Sequence, residues 1–217
     1  ACADFGTANV GGDVGSAEQI ILSGTALGVC PPGAALSRRG ARVGDQVVIS
    51  KPTGVAGAAR DFFRLTRGSS KNLNKDTSGR LVEAWSRPRP EVILGQYLGE
   101  KQLATSCQDT SDGLKAALEQ ISDASSVALR IYEEQVPVDP AILEVAPYLG
   151  RDAIEMAFTD SVDFALVFTA KSESIPVISE MGREVYVIGE VTSGSGAHLV
   201  SRGGEVKPIP GKAWRHV

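Results

Sequence analysis

Apolar and polar positions along this chain switch between a period near two and a period near 3.6, and the switches mark out its elements. After the Gly11-Gly12 turn, residues 19–30 (QIILSGTALGVC) mix alternation with β-branched side chains and predict one or two strands. Pro31-Pro32-Gly33 then breaks the chain. A short strand is expected at 45–50 (DQVVIS) and a helix at 54–66 (GVAGAARDFFRLT), whose small first turn permits close packing or a close ligand. The polar stretch 68–79 carries no hydrophobic period and reads as a flexible loop, either a lid or a connection. Two prolines within Arg87-Pro88-Arg89-Pro90 forbid regular structure there and open a helix at 91–101.

Beyond that point, strands are expected at 103–107, 126–132, 164–169, 185–188 and 198–201, and helices at 111–122, 140–149 and 175–181. Helices and strands alternate without a long parallel run, which implies an α+β fold with helices packed on one face of a mixed sheet. The double proline divides the chain into two expected domains, 1–86 and 87–217. No internal repeat is visible. The opening Ala-Cys-Ala-Asp-Phe-Gly reads like the tail of a helix running into a glycine turn, so a longer polypeptide is expected.

Composition narrows the function classes. With 217 residues and 42% hydrophobic content the chain can bury a sizeable core. The 22 basic residues against 26 acidic ones give a net charge of −4, without the footprint that nucleic-acid binding needs. Apolar runs such as 164–168 are too short to cross a bilayer and no signal segment opens the sequence, so a soluble cytoplasmic protein is expected. Cys2, Cys30 and Cys107 lie far apart and leave an odd thiol, which argues against a disulfide framework. The two histidines, His198 and His216, lack metal-ligand spacing, and no Walker-type loop is present, so zinc, triad and P-loop chemistry are disfavoured.

What remains are carboxylates near glycines. Gly12 and Asp13 combine backbone freedom with a hard oxygen suited to magnesium, or form a simple turn. Asp109-Thr110-Ser111-Asp112-Gly113 stands where a strand should end and a helix begin. Ser111 or Thr110 can cap that helix, its N–H groups favour anions, and Asp109 and Asp112 can hold cations; a plain capped helix is the alternative. Arg38, in Arg38-Arg39-Gly40-Ala41-Arg42, either clamps a phosphate or sits in a solvated basic turn. Trp214, in Trp214-Arg215-His216, reads as a packing anchor or a substrate platform.

In this order, Gly-Gly-Asp, Arg-x-Gly-Ala-Arg-x-Gly-Asp, Arg-Pro-x-Pro, Asp-x-Ser-Asp-Gly-Leu, Asp163-Phe164-Ala165-Leu166-Val167-Phe168-Thr169 and Trp214-Arg215-His216-Val217, the landmarks resemble the thiamine-monophosphate kinase family over nearly the whole chain. The resemblance implies part of an N-terminal ATP-binding domain followed by a C-terminal α+β domain. It also implies magnesium-dependent transfer of the γ-phosphoryl group of ATP to thiamine phosphate, with a homodimer as the assembly. On the matching positions, Asp13, Asp109 and Asp112 correspond to Mg2+ ligands, Gly12, Arg38 and Ser111 to ATP contacts, and Asp163 and Trp214 to substrate contacts. No residue is assigned as a covalent catalyst, since phosphoryl transfer asks mainly for positioning and charge neutralisation. Val14, Ala58, Val162 and Ala165 depart from the family pattern and keep two alternatives open: another small-molecule enzyme of the same superfamily, or a non-catalytic nucleotide-binding paralogue.

Overall fold

In the computed structural model, which describes residues 2–160 and 162–212, Val47, Val48 and Ile49 are all fully buried. They are consecutive residues of strand β1 (Gln46–Ile49), and a strand sends successive side chains to opposite faces. Both faces of the sheet must therefore be covered.

The strands after β1 are β2 (Ser106–Asp109), β3 (Ala128–Tyr132), β4 (Leu166–Ala170), β5 (Tyr186–Thr192), β6 (Gly196–Val200) and β7 (Val206–Pro208). They form one seven-stranded sheet in the order β2-β4-β1-β5-β3-β6-β7. Neighbours are antiparallel except β3 and β6, which run parallel. The helices are α1 (Val55–Thr66), α2 (Lys75–Ser86), α3 (Val92–Glu100), α4 (Leu114–Ser125), α5 (Pro140–Leu149), α6 (Ala153–Thr159) and α7 (Ser174–Ser179). Val47 and Ile49 pack with Leu114, Leu118 and Ile121 of α4 and Phe158 of α6. On the opposite face Val48 and Phe168 pack with Leu94 and Leu98 of α3 and Ile178 of α7. A third cluster joins α1, α2 and α5 through Phe62, Leu81, Ile142 and Val145.

The α+β class and the mixed sheet stand as the sequence implies, but the helices cover both faces rather than one. The expected domain division also falls inside this unit. Arg87–Pro90 lies between α2 and α3, while β1, from before it, pairs with β4 and β5 from beyond it. Strand pairing joins residues more than a hundred positions apart, which punctuation by proline does not reveal.

Residues 19–30 form no regular element, and Ile20, Leu22 and Val29 are over nine-tenths exposed. A strand needs a partner for its backbone groups, and none of the described chain pairs with this segment. The expected loop 68–79 is shorter: α2 starts at Lys75, because the Asn74 side chain accepts from Thr77 N at 2.7 Å and Leu81 is fully buried. The strand expected at 103–107 begins at Ser106, and α6 and β7 lacked a sequence signal.

Candidate functional site

Three segments meet at one end of the sheet. The first is the start of α1, where Gly54 takes φ 96°, a left-handed conformation that glycine adopts without steric cost. A Cβ there would lie 2.5 Å from Met156 O, so the position also needs the missing side chain. The second is the 162–165 segment, and the third is the β2–α4 turn. Thr110 ties the last two together: its N–H donates to Ala165 O at 2.9 Å, and its Oγ1 accepts from Ala165 N at 3.1 Å. Val162 N donates to Ser111 O at 3.2 Å.

Asp163 joins the 162–165 segment to α1. Its carboxylate accepts from Gly54 N at 2.6 Å and from Ala56 N at 3.0 Å, satisfying donors that a helix start leaves without intrahelical partners. These bonds, and Lys51 nearby, favour the ionised carboxylate, but burial outweighs them and pushes its pKa up to about 6. Its neighbours Val162 and Phe164 have φ of 66° and 51°, which L-residues rarely adopt and a β-branched valine least of all. The aspartate is thus presented by a strained backbone. Asp160, three residues earlier, is also pushed up by burial, against the bidentate pairing of Arg151 at 2.8 and 3.0 Å.

Asp163 lies in the wall of a cleft of about 620 Å³ whose lining includes Lys51, Arg87, Arg89, Glu91 and Arg183. Lys51 follows β1 closely in sequence. Its Nζ donates to Arg89 O at 2.8 Å and lies 3.6 Å from Glu91, which also pairs with Arg183. Burial lowers the Lys51 pKa, with Glu91 and Asp163 opposing that shift. This size and mixture of polar and apolar walls suit a small molecule.

The other expected site residues are distributed differently. Gly12 and Asp13 lie on the exposed segment before residue 34, and the Asp13 carboxylate accepts from Val14 N. Asp109 ends β2, exposed, and accepts from the Ser111 hydroxyl at 3.1 Å; Asp112 is half-buried in the same turn. Neither Ser111 nor Thr110 caps α4: its N-cap is Gly113, without a side-chain cap. Among the described residues no group of three carboxylate, histidine or cysteine ligands gathers for a metal, so Asp13 does not join Asp109 and Asp112 in one cluster. Arg38 is exposed beside β2, where the preceding residue's carbonyl, Ser37 O, accepts from Cys107 N at 2.8 Å. Trp214 lies outside the described residues. Lys51 and Glu91 carried no signal in the sequence, since a lone lysine after a strand and a glutamate before a helix are commonplace; Arg87 and Arg89 stood in the Arg-Pro-x-Pro landmark without a role.

Residues 42–201 match the family of AIR synthase related proteins, C-terminal domain. The thiamine-monophosphate kinase of Methanopyrus kandleri is 33% identical over 197 residues, covering 91% of this chain and 59% of the relative. That of Pyrococcus abyssi is 29% identical over 208 residues, covering 96% of this chain and 61% of the relative. The chain therefore spans about six-tenths of the length of these relatives. The crystal structure of thiamine-monophosphate kinase from Stenotrophomonas maltophilia superimposes with a TM-score of 0.69 at 29% identity, over 81% of this chain and 55% of that one.

Proposed function

We propose, because this chain belongs to the family of AIR synthase related proteins, C-terminal domain, that it supplies the acceptor-binding part of an ATP-dependent small-molecule kinase. The reaction proposed is transfer of the γ-phosphoryl group of ATP to thiamine phosphate, giving thiamine diphosphate. The observation that carries this reading is the cleft at Asp163, a buried carboxylate fixed by two backbone donors beside a rim of arginines, in a chain whose relatives are thiamine-monophosphate kinases.

In this reading Asp163 faces the cationic part of thiamine phosphate. Arg38 and Ser111 serve the nucleotide near the end of β2, Gly12 approaches ATP through its backbone, and Trp214 stacks on the substrate. A divalent metal is the expected cofactor, with Mg2+ as the proposed ion. Magnesium takes one or two carboxylates together with substrate phosphates, and Asp109 and Asp112, sharing a turn, fit that donor set; Asp13 would join only from a different arrangement of its segment. When bound, the ion neutralises phosphate charge. The protein's own part is to hold the acceptor in line and keep water from the cleft. A homodimer and a cytoplasmic location complete the proposal; no helix of the described residues is long and apolar enough to cross a membrane.

The test is incubation of the full-length polypeptide with magnesium-ATP and thiamine phosphate, followed by chromatographic separation of the thiamine species. Thiamine diphosphate formed only with both enzyme and metal is the expected result. Binding of nucleotide without any product would instead support the non-catalytic paralogue, the reading that Val14, Ala58 and Ala165 keep open.

A further inference from the structure

The charges around the cleft are unequally committed. Arg80 pairs with Asp139 at 2.9 Å, and Lys51 and Arg183 both pair with Glu91. Arg87 and Arg89 also line the cleft, yet among the described residues their guanidinium groups make no ion pair or hydrogen bond. Their backbone, by contrast, is held firmly. Pro88 and Pro90 fix their own φ, Arg87 N donates to Glu83 O at 2.9 Å, and Lys51 holds Arg89 O. A pair of guanidinium groups on a fixed backbone, each with five donors in a planar fork, is suited to phosphate or carboxylate oxygens. Part of the ordering that an anion would otherwise impose is already complete, which favours binding. The cleft's volume of about 620 Å³ admits a small molecule rather than a folded partner.

We propose that Arg87 and Arg89 form an anion subsite that holds the phosphate of the cleft's ligand, while Asp163 faces that ligand's cationic end. The cleft then selects a small molecule of separated charge, cationic at one end and phosphorylated at the other. This inference rests on the reading of the cleft as the acceptor site, and it adds residues that set the preference for a phosphorylated acceptor over its unphosphorylated form.

Calorimetric titration of the full chain with thiamine and with thiamine phosphate tests it, using the wild type, R87A/R89A and the charge-keeping R87K/R89K. Both arginines are exposed, so the variants should keep the wild-type melting curve. Charge-assisted hydrogen bonds of this kind imply that the wild type binds thiamine phosphate at least about tenfold more tightly than thiamine. In R87A/R89A the advantage should fall below about threefold while affinity for thiamine itself is kept, and R87K/R89K should lie between, since a lysine keeps the charge but not the fork. A wild type without the preference, or a double alanine variant that retains it, overturns the subsite. If neither thiamine species binds, the acceptor reading fails by itself, and inorganic pyrophosphate becomes the probe. Binding of pyrophosphate that is lost in R87A/R89A upholds the anion subsite, and binding that is absent or indifferent to the arginines overturns it.

Discussion

Asp163 sits between two opposing influences, and the larger one sets its titration. Two backbone N–H donors draw it toward the ionised form, while burial in the cleft wall draws it toward the neutral one and brings its pKa up to about 6 from 3.8. The consequence for stability has a definite sign. Between those values the folded chain holds a proton that the unfolded chain has released, so stability falls as pH rises. The contribution is fully present below the unfolded value near 3.8 and lost as pH climbs through about 6, a change of roughly 3 kcal/mol. Urea unfolding of the wild type and of Asp163→Asn across this window should show the wild type losing more stability with rising pH, because the amide does not titrate. The same ionisation governs the ligand: affinity for a cationic acceptor should decline as pH falls through about 6.

The start of α1 is an element whose geometry depends on a small residue. Gly54 has the left-handed conformation, faces Met156 O at 2.5 Å through the position a Cβ would take, and donates its N–H to Asp163. Gly57, one turn on, would bring a Cβ within 2.6 Å of the Asp160 Cβ. Gly54→Ala adds the cost of a left-handed L-residue to that of forcing backbone apart, about 3 kcal/mol in all. Chemical denaturation checks the loss. Because the same shift withdraws a donor from Asp163, thiamine phosphate binding should weaken in this variant even at temperatures where it remains folded. The start of α2 depends on side chains instead: Asn74 caps Thr77, and Glu144 from α5 accepts from the Thr77 hydroxyl at 2.5 Å. These contacts account for a helix beginning in a stretch that lacks a hydrophobic period.

At the scale of the molecule, the chain has a well-packed unit and an extended lead. From Ala41 onward buried side chains recur throughout, whereas residues 7–33 bury none. Chymotrypsin should cut first after Leu22 or Leu27, both over nine-tenths exposed, before any site within the sheet. Mass spectrometry of a time course identifies the sites, and the trimmed product should melt within about 2 °C of the intact chain, since no described side chain of the removed stretch is fully buried and only Asp4, Phe5 and Gly6 of it line the cleft. Early cleavage inside 46–200 would contradict the packing described for that unit.

The local chemistry of the sequence determined several elements outright. Pro140 at the start and Gly150 at the end bracket α5, with Asp139 accepting from Ala141 N, and these are signals carried by adjacent residues. β1 and α1 were legible for the same reason: an apolar run and a helical period each report on a short window. The carboxylate at 163 and the Asp109–Asp112 turn were visible as chemistry, but not their surroundings. Tertiary structure alone decided that Asp163 would hold the start of α1, because its partner Gly54 is 109 residues away. It also decided that both faces of the sheet are covered, that residues 19–30 remain unpaired despite their strand-like pattern, and that Lys51 and Glu91 meet at the cleft. A side chain's neighbours within one turn are set by spacing, whereas its partners across the sheet depend on strand order and register, which no short stretch of sequence contains.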